Sequence, residues 1–459
     1  MHGMLGNCMG NNRRALWGLA FASILVACSS GDDESSEALD AATQAGDGGA
    51  GAAAGEGGEG GTAGVAGEPN AGSGGAPETD SGIDASEPLE DAAVDESDAA
   101  VVMHPRLMEL ADETAIDLGE FDCRAPTDEN EGQCRAVTDY SGLVYDDVGH
   151  QFLMFGGGHA TTMTDTIFAF DLDDSLSWSE LYEPTPCDQM IASNLDAELG
   201  AWNMGASGPY PRPLSIHSYD LNAFAPDQNE FILISRSFTG GYCNTVGNDV
   251  GGPIAHYGMA SGAWSFSDAE PSHTIASSER DPVSGLIVVL GSDGLKLYDP
   301  IARRYTDEIE TVANAQGGTF DINSLGYANH MVYFPPNDTF YYFMRGQPVE
   351  VIALKLDRAA PASSTLELVA SEGTSSPHEE PGYDYDAVNE LIGGGVHNDN
   401  FYTFDPLTSS WSQHAIQGAS PGTHAFHALG YDPVNNVFVF RSDASTGQHT
   451  WAFRLRNAP

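Results

Sequence analysis

The chain has 459 residues, with 67 Asp or Glu against 17 Lys or Arg, and a formal net charge of −50 at pH 7. So acidic a molecule is repelled by nucleic acid and by anionic lipid heads, which excludes nucleic acid as a partner and leaves cationic partners or plain solubility as the meaning of the charge. The charge is spread unevenly, and chain order shows where it goes.

The first segment is an address. Arg13 and Arg14 supply a positive start, and Ala15 to Ala27 is a mostly apolar run too short to span a bilayer as a mature helix. The run ends in Leu25-Val26-Ala27-Cys28, small residues before a thiol, which resembles a bacterial lipobox. That resemblance implies a signal peptide over 1–27 and diacylation of Cys28, which anchors a chain to a membrane without a spanning helix. Ser29 stands where the inner-membrane retention rule of Gram-negative lipoproteins has Asp, so the expected location is the outer membrane, facing periplasm or surface.

Residues 28–103 read as a tether. After Cys28 they are mainly Gly, Ala, Ser and acids, with eighteen Asp or Glu and no Lys or Arg. Such a segment buries too little apolar surface to offset its chain entropy, and its like charges extend it. With +2 in the leader, this leaves −34 for residues 104–459.

Six cysteines occur. Cys8 falls in the leader and Cys28 carries lipid, so Cys123, Cys134, Cys187 and Cys243 remain, an even number in an exported chain. Three connectivities are open. Cys123–Cys134, closing a short loop, with Cys187–Cys243, joining two long insertions, is the favoured one. No CxxC pair is present, which argues against a thiolate metal site.

From about 137 to 456 one pattern recurs six times. A turn rich in Asp, Asn and Pro precedes an apolar strand. The turns are Asp146–Gly149, Pro226–Asn229, Asp281–Ser284, Pro335–Asp338, Asp386–Asn389 and Asp432–Asn436. The strands begin at Gln151, Glu230, Gly285, Thr339, Glu390 and Val437. Paired aromatics follow: Phe170 with Trp178, Tyr257 with Trp264, Tyr298 with Tyr305, and Phe404 with Trp411. Two hairpins per unit make a four-stranded antiparallel sheet, and helical periodicity is nearly absent.

A Gly pair after a strand, as in Phe155-Gly156-Gly157 and Ile392-Gly393-Gly394, followed by a spaced aromatic pair, resembles the kelch repeat. The Asp-Pro-x-Asn-Asn turn at Asp432 is similar to that of its galactose-oxidase-like branch. The resemblance implies an all-β fold, a six-bladed β-propeller with units over 137–183, 212–268, 272–310, 324–370, 376–417 and 422–456. Seven blades is the alternative, with a poor unit hidden in 184–211 or 238–256. The sixth unit is one strand short, and the stretch Thr114 to Phe121 is expected to supply it.

Nine residues before Pro226, Pro282, Ala387 and Pro433, in the turns of units two, three, five and six, stand His217, His273, His378 and His424. They are either repeat features bonding to a neighbouring blade or a His-lined binding site at one channel mouth. Such a site suits an anionic group or a transition metal such as zinc, copper or nickel. His330 and His427 form a second, weaker set. No metal or catalytic residue is assigned. Tyr242-Cys243 lies in a Gly-rich insertion, but no further copper–radical ligands match by motif. The Asp171–Asp174 turn has calcium-ligand chemistry, but reads first as an ordinary turn. The expected function is a membrane-anchored binding or scaffolding module for a protein or glycan partner; the alternative is a propeller enzyme, oxidase-like and metal-dependent, acting at the His-bearing mouth.

Overall fold

The computed structural model describes residues 103–121, 141–156, 164–203, 210–234, 252–269, 276–326, 328–378, 382–442 and 448–457. The leader, Cys28, the tether to 102, Cys123, Cys134, Cys243, the Cys187 side chain and His273 lie outside the described residues. No described helix is long and apolar enough to cross a membrane.

Six antiparallel sheets follow one another along the chain and form a β-propeller. The innermost strands are Val144–Asp146, Asn222–Ala225, Ala276–Arg280, His330–Phe334, Tyr383–Asp386 and His424–Asp432, and each adjoins the next around a closed ring. The strands Gln151–Phe155, Glu230–Leu233, Ile287–Gly291, Thr339–Phe343, Leu391–His397 and Val437–Ser442 lie second in each blade. The described residues of the 184–211 region contribute to a small sheet of Leu195–Asp196, Ala201–Trp202 and Arg212–Pro213 and form no blade of their own.

Six apolar cores lie in the six gaps between neighbouring blades. A second strand therefore faces a core on both sides, which is why Phe152 to Phe155 and Thr339 to Phe343 are buried at every position instead of alternating. The outer strand Arg304–Ile309 has solvent on one side, and its burial alternates.

The turns explain much of the acid content. The Oδ1 of Asp146, Asp386 and Asp432 each accepts two backbone N–H groups two and three residues on, and Asp281 accepts one from Val283. The outer hairpins repeat the device at Asp299 and Asp357. Asp171 is another such turn: its carboxylate accepts the N–H groups of Asp173, Asp174 and Ser175, so its oxygens serve the backbone and the calcium alternative finds no support there. The aromatic pairs are direct cross-strand partners, with rings 5.2 Å apart for Phe170–Trp178, 5.3 Å for Tyr257–Trp264, 5.6 Å for Tyr298–Tyr305 and 5.1 Å for Phe404–Trp411.

The sixth blade is built from two stretches far apart in the chain. Thr114–Glu120 is its outer strand, antiparallel to His449–Arg454. Two buried arginines fasten the joint. The Arg441 guanidinium stacks 3.7 Å from the Phe121 ring centre and bonds Gln448. The Arg454 guanidinium donates to the carbonyls of Leu107, Met108, Leu110, Asn435 and Asn436.

Candidate functional site

The ring of innermost strands encloses an axial cavity of about 340 Å³. It lies toward the end carrying the turns, where Pro226, Pro282, Pro335, Ala387 and Pro433 line it. The residue preceding Asp146, Ala225, Asp281, Phe334, Asp386 or Asp432 at the end of each inner strand is Tyr145, Phe224, Arg280, Tyr333, Tyr385 or Tyr431, so five of six blades bring an aromatic ring to the wall. Their hydroxyls are partly spent: Tyr333 donates to Asp338 and Tyr431 to Asn436, both at 2.9 Å. Tyr385 stands edge-on to Phe334 at 5.3 Å.

Deeper in, the wall carries three carboxyl groups: Asp220, Glu279 and Asp384, from blades two, three and five. Asp384 accepts from the N–H groups of Tyr431 and Tyr385, each at 2.7 Å, yet burial pushes its carboxyl up to about 6. Burial raises Asp220 and Glu279 well above the ordinary range; the charge of Asp384 adds to both, and Glu279 adds to Asp220. Asp220 reaches across to blade four, where its Oδ2 accepts the Met331 N–H at 2.8 Å and its Oδ1 lies 3.0 Å from His330 Nδ1 without hydrogen-bond alignment. This contact floors the cavity. Burial holds His330 down to about 4. Among the described residues, no three His, Cys, Asp or Glu side chains group so as to hold a metal ion.

The predicted histidines divide. His217, His378 and His424 do not line the cavity. His378 and His424 stack with ring centres 4.3 Å apart at 19°, and the His378 Nε2 bonds the His424 carbonyl at 2.9 Å, a contact between neighbouring blades. His217 meets Tyr219 edge-on at 5.7 Å, Tyr219 meets His427 at 5.8 Å, and His427 lies parallel to His330 at 5.8 Å. So His378 and His424 are brought together, His217 joins the second set through Tyr219, and among the described histidines only His330 reaches the cavity wall. His424 is fully buried, and neither ring nitrogen has a hydrogen-bond partner among the described residues. Burial first, then His378, His427 and His330, keeps it neutral far below its ordinary value. Gly382 makes room for it: a Cβ there meets His424 Cε1 at 2.9 Å and the Phe426 carbonyl oxygen at 3.0 Å. Gly382→Ala is therefore expected to cost about 1–3 kcal/mol by overpacking, read by urea denaturation; an unchanged midpoint refutes this reading of the glycine.

The three carboxyls were not singled out from sequence, although a signal existed. Glu279 and Asp384 each stand two residues before a turn aspartate, in strands whose other copies carry Val144, Ala223, Val332 and Gly430 at that place. A polar residue repeated at an inner-strand position points to the hole in the ring.

No protein-family model matches this chain, and no curated protein matches it. Among solved structures it is similar to a gluconolactonase from Xanthomonas campestris, at 11% identity and a TM-score of 0.37 over 74% of this chain and 88% of that one. So distant a likeness has no bearing on function.

Proposed function

We propose that this chain is a kelch-type propeller, exported and held to the outer membrane by acyl chains on Cys28, and that it works there as a binding module with the axial cavity as its site. The cavity carries the reading: its volume lies in the range of small-ligand pockets, its walls are aromatic, and a few polar groups converge at its floor. The ligand is a small molecule or a group projecting from a protein or glycan partner. The charged start, apolar run and Cys28 support the anchor, and the repeated turn and aromatic pair support the kelch assignment.

A thermal-shift screen of chemically varied small molecules against the full chain tests the site. Ligands are expected to raise the melting temperature of the wild type and to lose most of that effect in Tyr385→Ala, with folding checked by circular dichroism. Ligands that stabilise both proteins equally place the site elsewhere.

One observation favours a second reading, a metal-dependent enzyme at the histidines: the unpartnered nitrogens of His424. A stoichiometric transition metal in the purified chain, lost in His424→Ala, decides for it.

A further inference from the structure

The cavity wall is chemically one-sided. Its carboxyl groups, Asp220, Glu279 and Asp384 deep inside and Asp147 near the turns, are hydrogen-bond acceptors whenever ionised. Asn222 adds another acceptor. It is 6% exposed and lines the cavity, its amide nitrogen is directed to the Gly142 carbonyl at 3.4 Å, and its Oδ1 has no hydrogen-bond partner among the described residues. A buried acceptor left unpaired costs about 1–3 kcal/mol, so this oxygen calls for a donor. Arg280 is the one Lys or Arg among the lining residues, and it sits in the aromatic layer, 3.8 Å from Asp227. Toward the turns from the acids, Tyr145, Tyr333, Tyr385 and Tyr431 line the cavity. A ligand suited to this wall donates hydrogen bonds, carries positive charge, and has an alkyl or flat body that aromatic rings can cover.

We propose that the axial cavity binds an alkyl-ammonium group, with its N–H donors directed to Glu279, Asp384 and Asn222 and its carbon chain walled by Tyr333, Tyr385 and Tyr431. This deepens the binding-module reading and rests on it. A bare divalent ion suits the wall less well. The acids come from three different blades without grouping as metal ligands among the described residues, and a single ion leaves most of about 340 Å³ unfilled. The acidic surface of the domain also draws cations toward the opening.

The same chemistry is available from a free polyamine or from a lysine side chain on a partner protein or peptidoglycan, and two probes separate them. In isothermal titration calorimetry at pH 6, the full chain is titrated with putrescine and with a capped Gly-Lys-Gly peptide; butane-1,4-diol and calcium chloride serve as controls. At least one amine is expected to bind, and at least tenfold more weakly in Glu279→Gln, a near-isosteric change at a carboxyl that accepts from the Arg280 backbone N–H, with folding checked by circular dichroism. The tighter amine identifies the source. Binding is also expected to release protons, seen as heats that differ between buffers of different ionisation enthalpy, because a bound cation draws the raised carboxyls back toward ionisation. The proposal is overturned if neither amine binds, if the diol binds as well as putrescine, if calcium displaces the amine through Glu279, or if Glu279→Gln leaves the affinity unchanged. Neutral or anionic ligands whose effect is lost in Tyr385→Ala refute the amine while leaving the pocket standing; ligands indifferent to Tyr385→Ala refute the pocket itself.

Discussion

Replacing Arg454 by methionine is expected to destabilise the propeller by about 3–5 kcal/mol. The side chain is 1% exposed and serves five backbone carbonyls, three in the segment around Leu107 and two in the turn of blade six. Among the described residues no carboxylate lies at hydrogen-bond distance from it; peptide dipoles solvate it. Methionine matches the length of the stem and supplies no donor, so several buried carbonyl oxygens lose their partners together. Lysine offers one charged point where the guanidinium offers a fork, and should recover only part of the loss. Urea denaturation of the three proteins measures this order. A methionine variant as stable as the wild type means that those carbonyls find other donors, and removes the arginine from the account of blade closure.

The second large effect is in pH. His330 is neutral in the fold down to about 4 because burial disfavours its charged form, whereas an unfolded histidine takes its proton near 6.5. Between these values the unfolded state binds more protons, so this group makes the fold less stable as pH falls from about 6.5 toward 4. The full difference corresponds to roughly 3 kcal/mol. Asp384 has the opposite sign. Burial raises it to about 6, so the folded state holds its proton longer than the unfolded chain, and its contribution is lost as pH rises from about 4 through 6. The two trends oppose each other in the wild type, and variants separate them. The stability advantage of wild type over His330→Gln should shrink by up to about 3 kcal/mol between pH 7 and pH 4. The advantage over Asp384→Asn should shrink in the other direction. Denaturation midpoints at four pH values give both curves, and parallel curves rule out titration of these groups as the source of the pH dependence.

The propeller was legible in the sequence because its signals are local and repeated. A turn aspartate that caps its own backbone needs only three or four neighbouring residues, and the pairs Tyr257–Trp264 and Phe404–Trp411 are set by hairpin register. The closing strand was legible for a different reason: the sixth unit lacked one strand, and Thr114–Glu120 was unclaimed. The cavity wall was harder to foresee, since it is assembled from one residue per blade and no segment contains it. Histidines attract notice by chemistry, yet His378 and His424 prove to be stacked on each other between blades, while the carboxyls that line the hole resemble the many acids spent on turns. Telling Asp384 from Asp386 requires knowing which faces the axis, and the turn bonds of Asp386 account for only one of the two.

The shared sixth blade also bears on how the molecule is made. The strand Thr114–Glu120 is synthesised before every blade it helps to close, and its partner His449–Arg454 comes last. Until that last segment arrives, the earlier blades form an open fan with free hydrogen-bonding edges, a form prone to pairing with other chains. Contacts so far apart in sequence form slowly. A premature stop before His449 therefore yields no shorter propeller, only a fan that proteases and chaperones can recognise as unfinished. Ring closure thus doubles as a check that synthesis has passed Arg454.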